Sequence, residues 1–190
     1  QKEEAFNKAI NEWVRRQKRG KNQTQEGDEE SRDRVDDLQI LLKTEYLPTR
    51  DKGLYNQSNK LPTDYLYYKR ITPIVSKGNC SGVRIKSHLR EEANVDDLIT
   101  MPSFEFEETF NTLINNKVHI YHNKNFTVER LELTYYRKPK VYNFKKLDTI
   151  IEFNDDKCDM IVDEAVKILA SDIDSINQKN LAQERAESNN

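Results

Sequence analysis

Apolar positions near the start of the chain recur at spacings of three and four: Phe6, Ile10, Trp13 and Val14, flanked by Ala5 and Ala9. That is the stripe with which an amphipathic helix buries one face. Arg15, Arg16, Lys18, Arg19 and Lys21 follow, with Gly20 suited to the C′ position, and cations in a last turn complement the negative end of the helix dipole. Residues 21–34 carry no apolar side chain and read as a loop or a solvated helix start. Val35, Leu38, Leu41 and Leu42 then predict a second short helix. Together these elements make a helical hairpin or arm over 1–46, whose apolar stripes need a partner surface in this chain or another.

From Leu47 to Ile151 the pattern turns to strands. Tyr65 to Ile71 is aromatic and β-branched, and Pro73 ends that strand or confines it to an edge. Gly78-Asn79 and Gly82 mark a turn, after which Val83 to Lys86 alternates apolar and polar. Ser87 to Thr100 reads as a short helix plus loop. Lys117 to Tyr121, a turn at His122 to Asn125, and a return strand from Phe126 to Tyr136 predict a hairpin. Val128, Leu131, Leu133 and Tyr135 share one face only if the register changes near Glu129-Arg130, which predicts a β-bulge there. Pro139 ends the strand.

Asn154 or Asp155 can cap a last helix, with Asp155 and Asp156 at its positive end. Ile161, Val162, Ala165, Val166, Ile168, Leu169, Ile173 and Ile176 continue as a helical stripe, and residues 177–190 are a polar tail, helical or disordered. The order of helices, strands and helix gives an α+β fold with an antiparallel middle. Its expected parts are a helical arm over 1–46, a β-rich domain over 47–151, and a C-terminal helix and tail over 152–190 packing on the β-rich domain.

Composition adds one point. Of 190 residues, 35% are hydrophobic and 34% charged, which is lean for a single globule. Surfaces completed by neighbouring subunits would account for the shortfall. The net charge of -2 does not describe a basic nucleic-acid binder, although the charges are unevenly placed. Cys80 and Cys158 read as free thiols. No apolar run reaches membrane-span length and no signal-peptide segment opens the chain, as expected of a soluble protein made inside the cell. The chain opens on Gln1 and not Met, as a fragment or processed product would.

Candidate chemistry is sparse. His119 and His122 have a gap found in zinc sites, but on a strand and its turn three steps place them on opposite faces. His88 stands apart. No phosphate-cradling glycine loop and no nucleophile elbow occurs. Asp28-Glu29-Glu30, Asp36-Asp37, Asp96-Asp97 and Asp155-Asp156 fall at helix starts or polar loops, where capping and solvation explain them. Asn-x-Ser/Thr triplets at Asn22, Asn56, Asn79 and Asn125 read as chance in an Asn-rich chain. The expectation is a non-enzyme with no cofactor and no metal. Two basic clusters stand out: Arg15 to Lys21, and Arg137, Lys138, Lys140, Lys145 and Lys146 among Tyr135, Tyr136, Tyr142 and Phe144. They read as a helix end and a solvated strand end, as a phosphate-tracking surface, or as partners for acidic patches such as Glu26 to Asp37 on a neighbouring copy.

Several short blocks carry a resemblance. Leu61-Pro62-Thr63-Asp64-Tyr65-Leu66 resembles a leucine-proline-serine/threonine-aspartate-tyrosine segment of connector proteins in phages of Bacteroides. Leu131 to Pro139, ending Tyr-Tyr-Arg-Lys-Pro, resembles the strand ending of the same proteins, and Asp155 to Ile176 follows as their acidic-capped helix does. Phe6 to Trp13, with Asp36-Asp37-Leu38-Gln39, is similar to the N-terminal arm of the crAss-like group. Residues 87–116 match nothing in that family. The resemblance implies a structural virion protein of a crAss-like phage, made in the host bacterial cytoplasm. It would form a homo-oligomeric ring, a dodecamer, between portal and tail, contacting the portal protein, other connector or tail ring proteins, and packaged DNA in the channel, with no membrane partner. Interface candidates are then Phe6, Ile10 and Trp13 as arm anchors, Arg15, Arg16 and Arg19 against Glu29 and Glu30, and Tyr65, Tyr136, Arg137 and Lys138. The alternative reading is a nucleic-acid-binding accessory protein of a phage.

Overall fold

The computed structural model describes residues 1–19, 38–100, 109–146 and 151–188. It divides into two compact units: Leu41–Lys138, and Gln1–Ile40 together with Pro139–Asn190. These are not the expected divisions at 46 and 151, because strand pairing begins earlier and the final helix shares a unit with the first.

Among the described residues the first unit holds eight strands: β1 (Leu42–Asp51), β2 (Tyr55–Lys60), β3 (Tyr65–Lys77), β4 (Cys80–Arg84), β5 (Ser87–Leu89), β6 (Thr109–Ile114), β7 (Lys117–Tyr121) and β8 (Thr127–Arg137). They form one sheet in the order β4-β3-β8-β1-β2-β7-β6-β5. β1 links its halves: Leu42 to Pro48 pair with β8, and Thr49 to Asp51 pair with β2. The sheet curls, since β4 and β5 are joined by only Ile85 and Lys86 and β5 comes beside β3. Leu47, Ile71, Val75, Val118, Ile120, Leu131, Leu133 and Tyr135 fill its inside. Full burial of each such aliphatic side chain contributes about 1.5–3 kcal/mol before ordering costs.

The expected α+β class with an antiparallel middle is corrected here. The protein is dominated by strands and its sheet is mixed, because β5 runs parallel to β6. A parallel pair needs a long crossover. The chain between Leu89 and Thr109 supplies it, and its described part holds a 3-10 turn at Glu92–Asn94 and the short helix α2 (Val95–Ile99).

The expected 117–136 hairpin is also absent. β7 pairs with β2 and β6, whereas β8 pairs with β1 and β3. The turn that makes a hairpin is one step earlier, between β6 and β7. Asn115 and Asn116 both take positive φ, 49 and 61, as a two-residue type I′ turn demands, and Asn tolerates that region better than most residues. Gly78, at φ 58, similarly opens the β3–β4 turn.

The predicted bulge in β8 is present. Ile74 pairs with Arg130 and Val75 with Val128, leaving Glu129 as the extra residue. Val128, Leu131, Leu133 and Tyr135 are all buried as a result. Pro73 lies inside β3 and does not end it; on the β4 side the paired residues of β3 start only at Ile74. The Pro73 carbonyl accepts from Ile85 N at 3.0 Å, just past the last residue of β4. A strand residue's N–H and C=O point to the same side, so the missing donor falls where the β4 ladder has ended. Of the second predicted helix, the residues before Leu38 lie outside the described ones; Leu38 is helical and buried, a 3-10 turn follows at Gln39–Leu41, and Leu42 already belongs to β1.

In the second unit α1 (Lys2–Arg19) packs antiparallel on α3 (Asp155–Ser188). The whole predicted stripe of α1, Ala5, Phe6, Ala9, Ile10, Trp13 and Val14, is buried. α3 buries Ile161 and Ala165. The segment before α3 supplies aromatics: Tyr142 and Phe144 contact Phe6, and Phe153 meets Trp13 edge-on at 5.1 Å. Asn7 holds that segment with both ends of its amide, donating to the Tyr142 carbonyl at 2.9 Å and accepting from Tyr142 N at 2.7 Å.

Candidate interaction surfaces

The long helix α3 has two apolar faces. Ile161 and Ala165 face inward, while Val162, Val166 and Ile173 are 46%, 58% and 57% exposed, with Met160 also exposed. Val162, Val166, Leu169 and Ile173 are spaced four, three and four apart, which is the spacing of a coiled-coil seam. The α1 stripe occupies only the inward side. Near the other end of α1, Gln1, Ala5, Ile168, Leu169 and Ile173 border a groove of about 500 Å³.

The expected arm anchors are placed otherwise. Phe6, Ile10 and Trp13 are each at most 6% exposed and packed within their own unit, so they have no surface to offer an adjacent subunit. Their stripe found its partner in this chain. Arg16 forms a two-pronged pair with Glu164 of α3, one bond at 3.0 Å, and Arg15 is exposed with Glu12 at 3.9 Å. The Arg19 side chain, Glu29 and Glu30 lie outside the described residues. Tyr65 is half-buried against the Tyr135 ring, and Tyr136 is buried with Lys69 over its face. Arg137 donates to the Lys138 carbonyl, and Lys138 Nζ donates to the Thr63 carbonyl at 3.1 Å. The second basic cluster is divided between the two units after Lys138, and Lys140 pairs with Glu152 at 3.3 Å.

Two of the blocks quoted from the sequence meet in space. Asp64 accepts from Tyr135 Oη at 2.8 Å and from Lys43 Nζ at 3.1 Å, and its backbone carbonyl accepts from Lys138 N at 2.6 Å. Desolvation pushes the Asp64 carboxyl up, but the bonds from Tyr135 and Lys43 outweigh it and hold the group below its ordinary value. Glu45 and Asp64 raise the Lys43 ammonium. Burial, helped by Asp64, raises the Tyr135 phenol.

The histidines sit apart, as strand alternation requires. His119 stacks on Tyr55 and accepts through Nε2 from the Gln57 amide at 3.0 Å, since Gln57 Oε1 already accepts from Lys117. His122 donates from Nε2 to Asn56 Oδ1 at 2.7 Å and accepts at Nδ1 from Lys124 N. Burial lowers both imidazoles. Nearby, burial and the Glu92 carboxylate, which accepts from Tyr121 Oη at 3.2 Å, push the Tyr121 phenol up to about 12.

Folding also gathers a feature that the linear sequence did not mark. Arg50, Lys52, Lys60 and Lys117, on three strands and the turn after β1, line one concavity. No run of basic residues signals it; only strand register brings them together.

Among the described residues no helix is long and apolar enough to cross a membrane. Compared with known protein families and with curated proteins, the chain shows no match.

Proposed function

We propose that this chain is a structural subunit that works by self-association, within a ring connecting portal to tail in a tailed phage. The observation that carries the self-association is the outward face of α3. Val162, Val166 and Ile173 lie exposed at seam spacing on a helix whose other face is already filled by α1. Apolar residues repeated at that spacing mark a surface that a second helix covers, whereas scattered surface leucines need no explanation. The place of the ring comes from the sequence resemblance. The Asp64 junction supports it, because the two resembling blocks form one hydrogen-bonded unit and not two unrelated stretches.

The reading assigns no catalytic residue. Its partners are further copies of the chain, the portal protein and neighbouring connector or tail rings. Native mass spectrometry of the purified chain, alone and mixed with portal protein, tests it. A large symmetric oligomer, or one formed on the portal, is the expected result. A strict monomer that binds no virion protein overturns it.

A further inference from the structure

Arg50 of β1, Lys52 just past its end, Lys60 at the end of β2 and Lys117 at the start of β7 line a concavity of about 610 Å³, with polar Gln57, Ser58 and Asn59 between them. Among the described residues no carboxylate forms part of that wall. Among the described residues none of the four cations has an ion-pair partner. Elsewhere in the same unit three cations are answered: Lys43 by Glu45 and Asp64, and Arg70 and Arg84 by Glu132.

Strand register sharpens the contrast. Lys60 stands directly opposite Lys117, after an irregularity in β2 between Gln57 and Lys60. Like charges facing each other across a strand pair are destabilising. The Gln57 carbonyl oxygen at 3.3 Å from Lys117 Nζ solvates one of the two without neutralising it. An anion between the lysines would turn this repulsion into attraction.

The size and charge of the site say which anion. Its volume suits a ligand of several groups, well beyond one inorganic ion. A ligand that answers four cations spread across three adjacent strands and the turn after β1 needs negative charges at repeated intervals. A phosphodiester chain has them, and lysine and arginine contacts to phosphates form the sequence-independent part of nucleic-acid binding. We propose that this concavity binds the phosphate backbone of nucleic acid. The proposal does not depend on the ring reading, because DNA affinity is measured whatever mass the chain assumes.

The test is fluorescence anisotropy of a short labelled DNA duplex with the full chain across a salt series. The double variant Lys60→Gln/Lys117→Gln is compared with Lys145→Gln/Lys146→Gln, an equal charge change outside the concavity. Wild-type affinity is expected to fall with salt. The first variant should lower the log–log salt slope by about 2 and weaken binding at least about tenfold at low salt, while the second leaves the slope unchanged. Equal losses in both variants, a loss only in the second, or no DNA binding by the wild type each overturn the proposal. So does a thermal shift with inorganic phosphate that DNA does not reproduce, which identifies a small-anion site. If the first variant melts early, Arg50→Gln/Lys52→Gln, at two exposed positions, gives the same reading.

Discussion

The phenol of Tyr135, a residue with no exposed surface, donates to the carboxylate of Asp64 at 2.8 Å. Tyr135 stands near the end of β8, and Asp64 lies in the connection that leads into β3. A buried tyrosine needs a partner for its hydroxyl, and this one is charged and shared with Lys43. Tyr135→Phe should therefore cost about 1.5–3 kcal/mol, the range for a hydrogen bond to a charged group. Urea unfolding at neutral pH measures it. The carboxyl of Asp64 is held below its ordinary 3.8. Its contribution is complete above that pH and is lost as pH falls through the lower folded value. Tyr135→Phe should accordingly flatten the acid limb of stability against pH; an unchanged limb would refute the coupling.

The two faces of α3 should respond differently. Ile161→Ala removes a fully buried side chain and should destabilise the fold by about 2–5 kcal/mol. Val162→Asn/Val166→Asn alters exposed positions, where each change is expected to stay within about 0.5 kcal/mol. That variant should melt like the wild type but lose oligomer mass by light scattering. If its mass is unchanged, the outward face is not an assembly surface.

Glu132 is buried on the outer side of β8, with Arg84 at 2.6 Å and Arg70 at 3.8 Å, and both arginines are mostly exposed. Removing the carboxylate leaves two hydrated cations. Removing Arg84 leaves a buried carboxylate with only the distant Arg70. Arg84→Met should therefore cost more than Glu132→Gln, which should stay near about 1 kcal/mol. Chemical denaturation of both variants gives the order, and the reverse order would contradict this account.

Acid should loosen the sheet through its histidines. Burial lowers His119 and His122 from the ordinary 6.5, and both rings use one nitrogen as an acceptor that a proton would block. A depressed imidazole contributes stability that is present above 6.5 and lost as pH falls through the folded value. Urea midpoints should decline between about pH 7 and about pH 5, and His119→Gln should reduce that decline. An equal decline in the variant would remove His119 from the account.

Local physics was legible along the chain. The spacing of Phe6, Ile10, Trp13 and Val14 specified a helix and its buried side. The parity of Val128 against Leu131, Leu133 and Tyr135 required an extra residue, and Glu129 is that residue. Asn154 was one of two candidate caps, and α3 starts at the following position. These are properties of side-chain period, and period is a local quantity.

Pairing was not legible. β7 and β8 follow each other like the arms of a hairpin, yet each pairs with other strands, because a curled sheet lets Val118 and Ile120 meet Leu131 and Leu133 across its inside. The partner of the α1 stripe was equally undetermined. An apolar face needs burial, and only tertiary structure decided that α3 and the aromatic segment before it would supply it. The same reason left Asp64, Tyr135 and Lys43 apart in sequence, and Arg50, Lys52, Lys60 and Lys117 unremarked. Sequence determined which faces must be buried and where elements turn; tertiary structure determined what covers each face, because burial is satisfied by any apolar partner that the chain's connections can bring within reach.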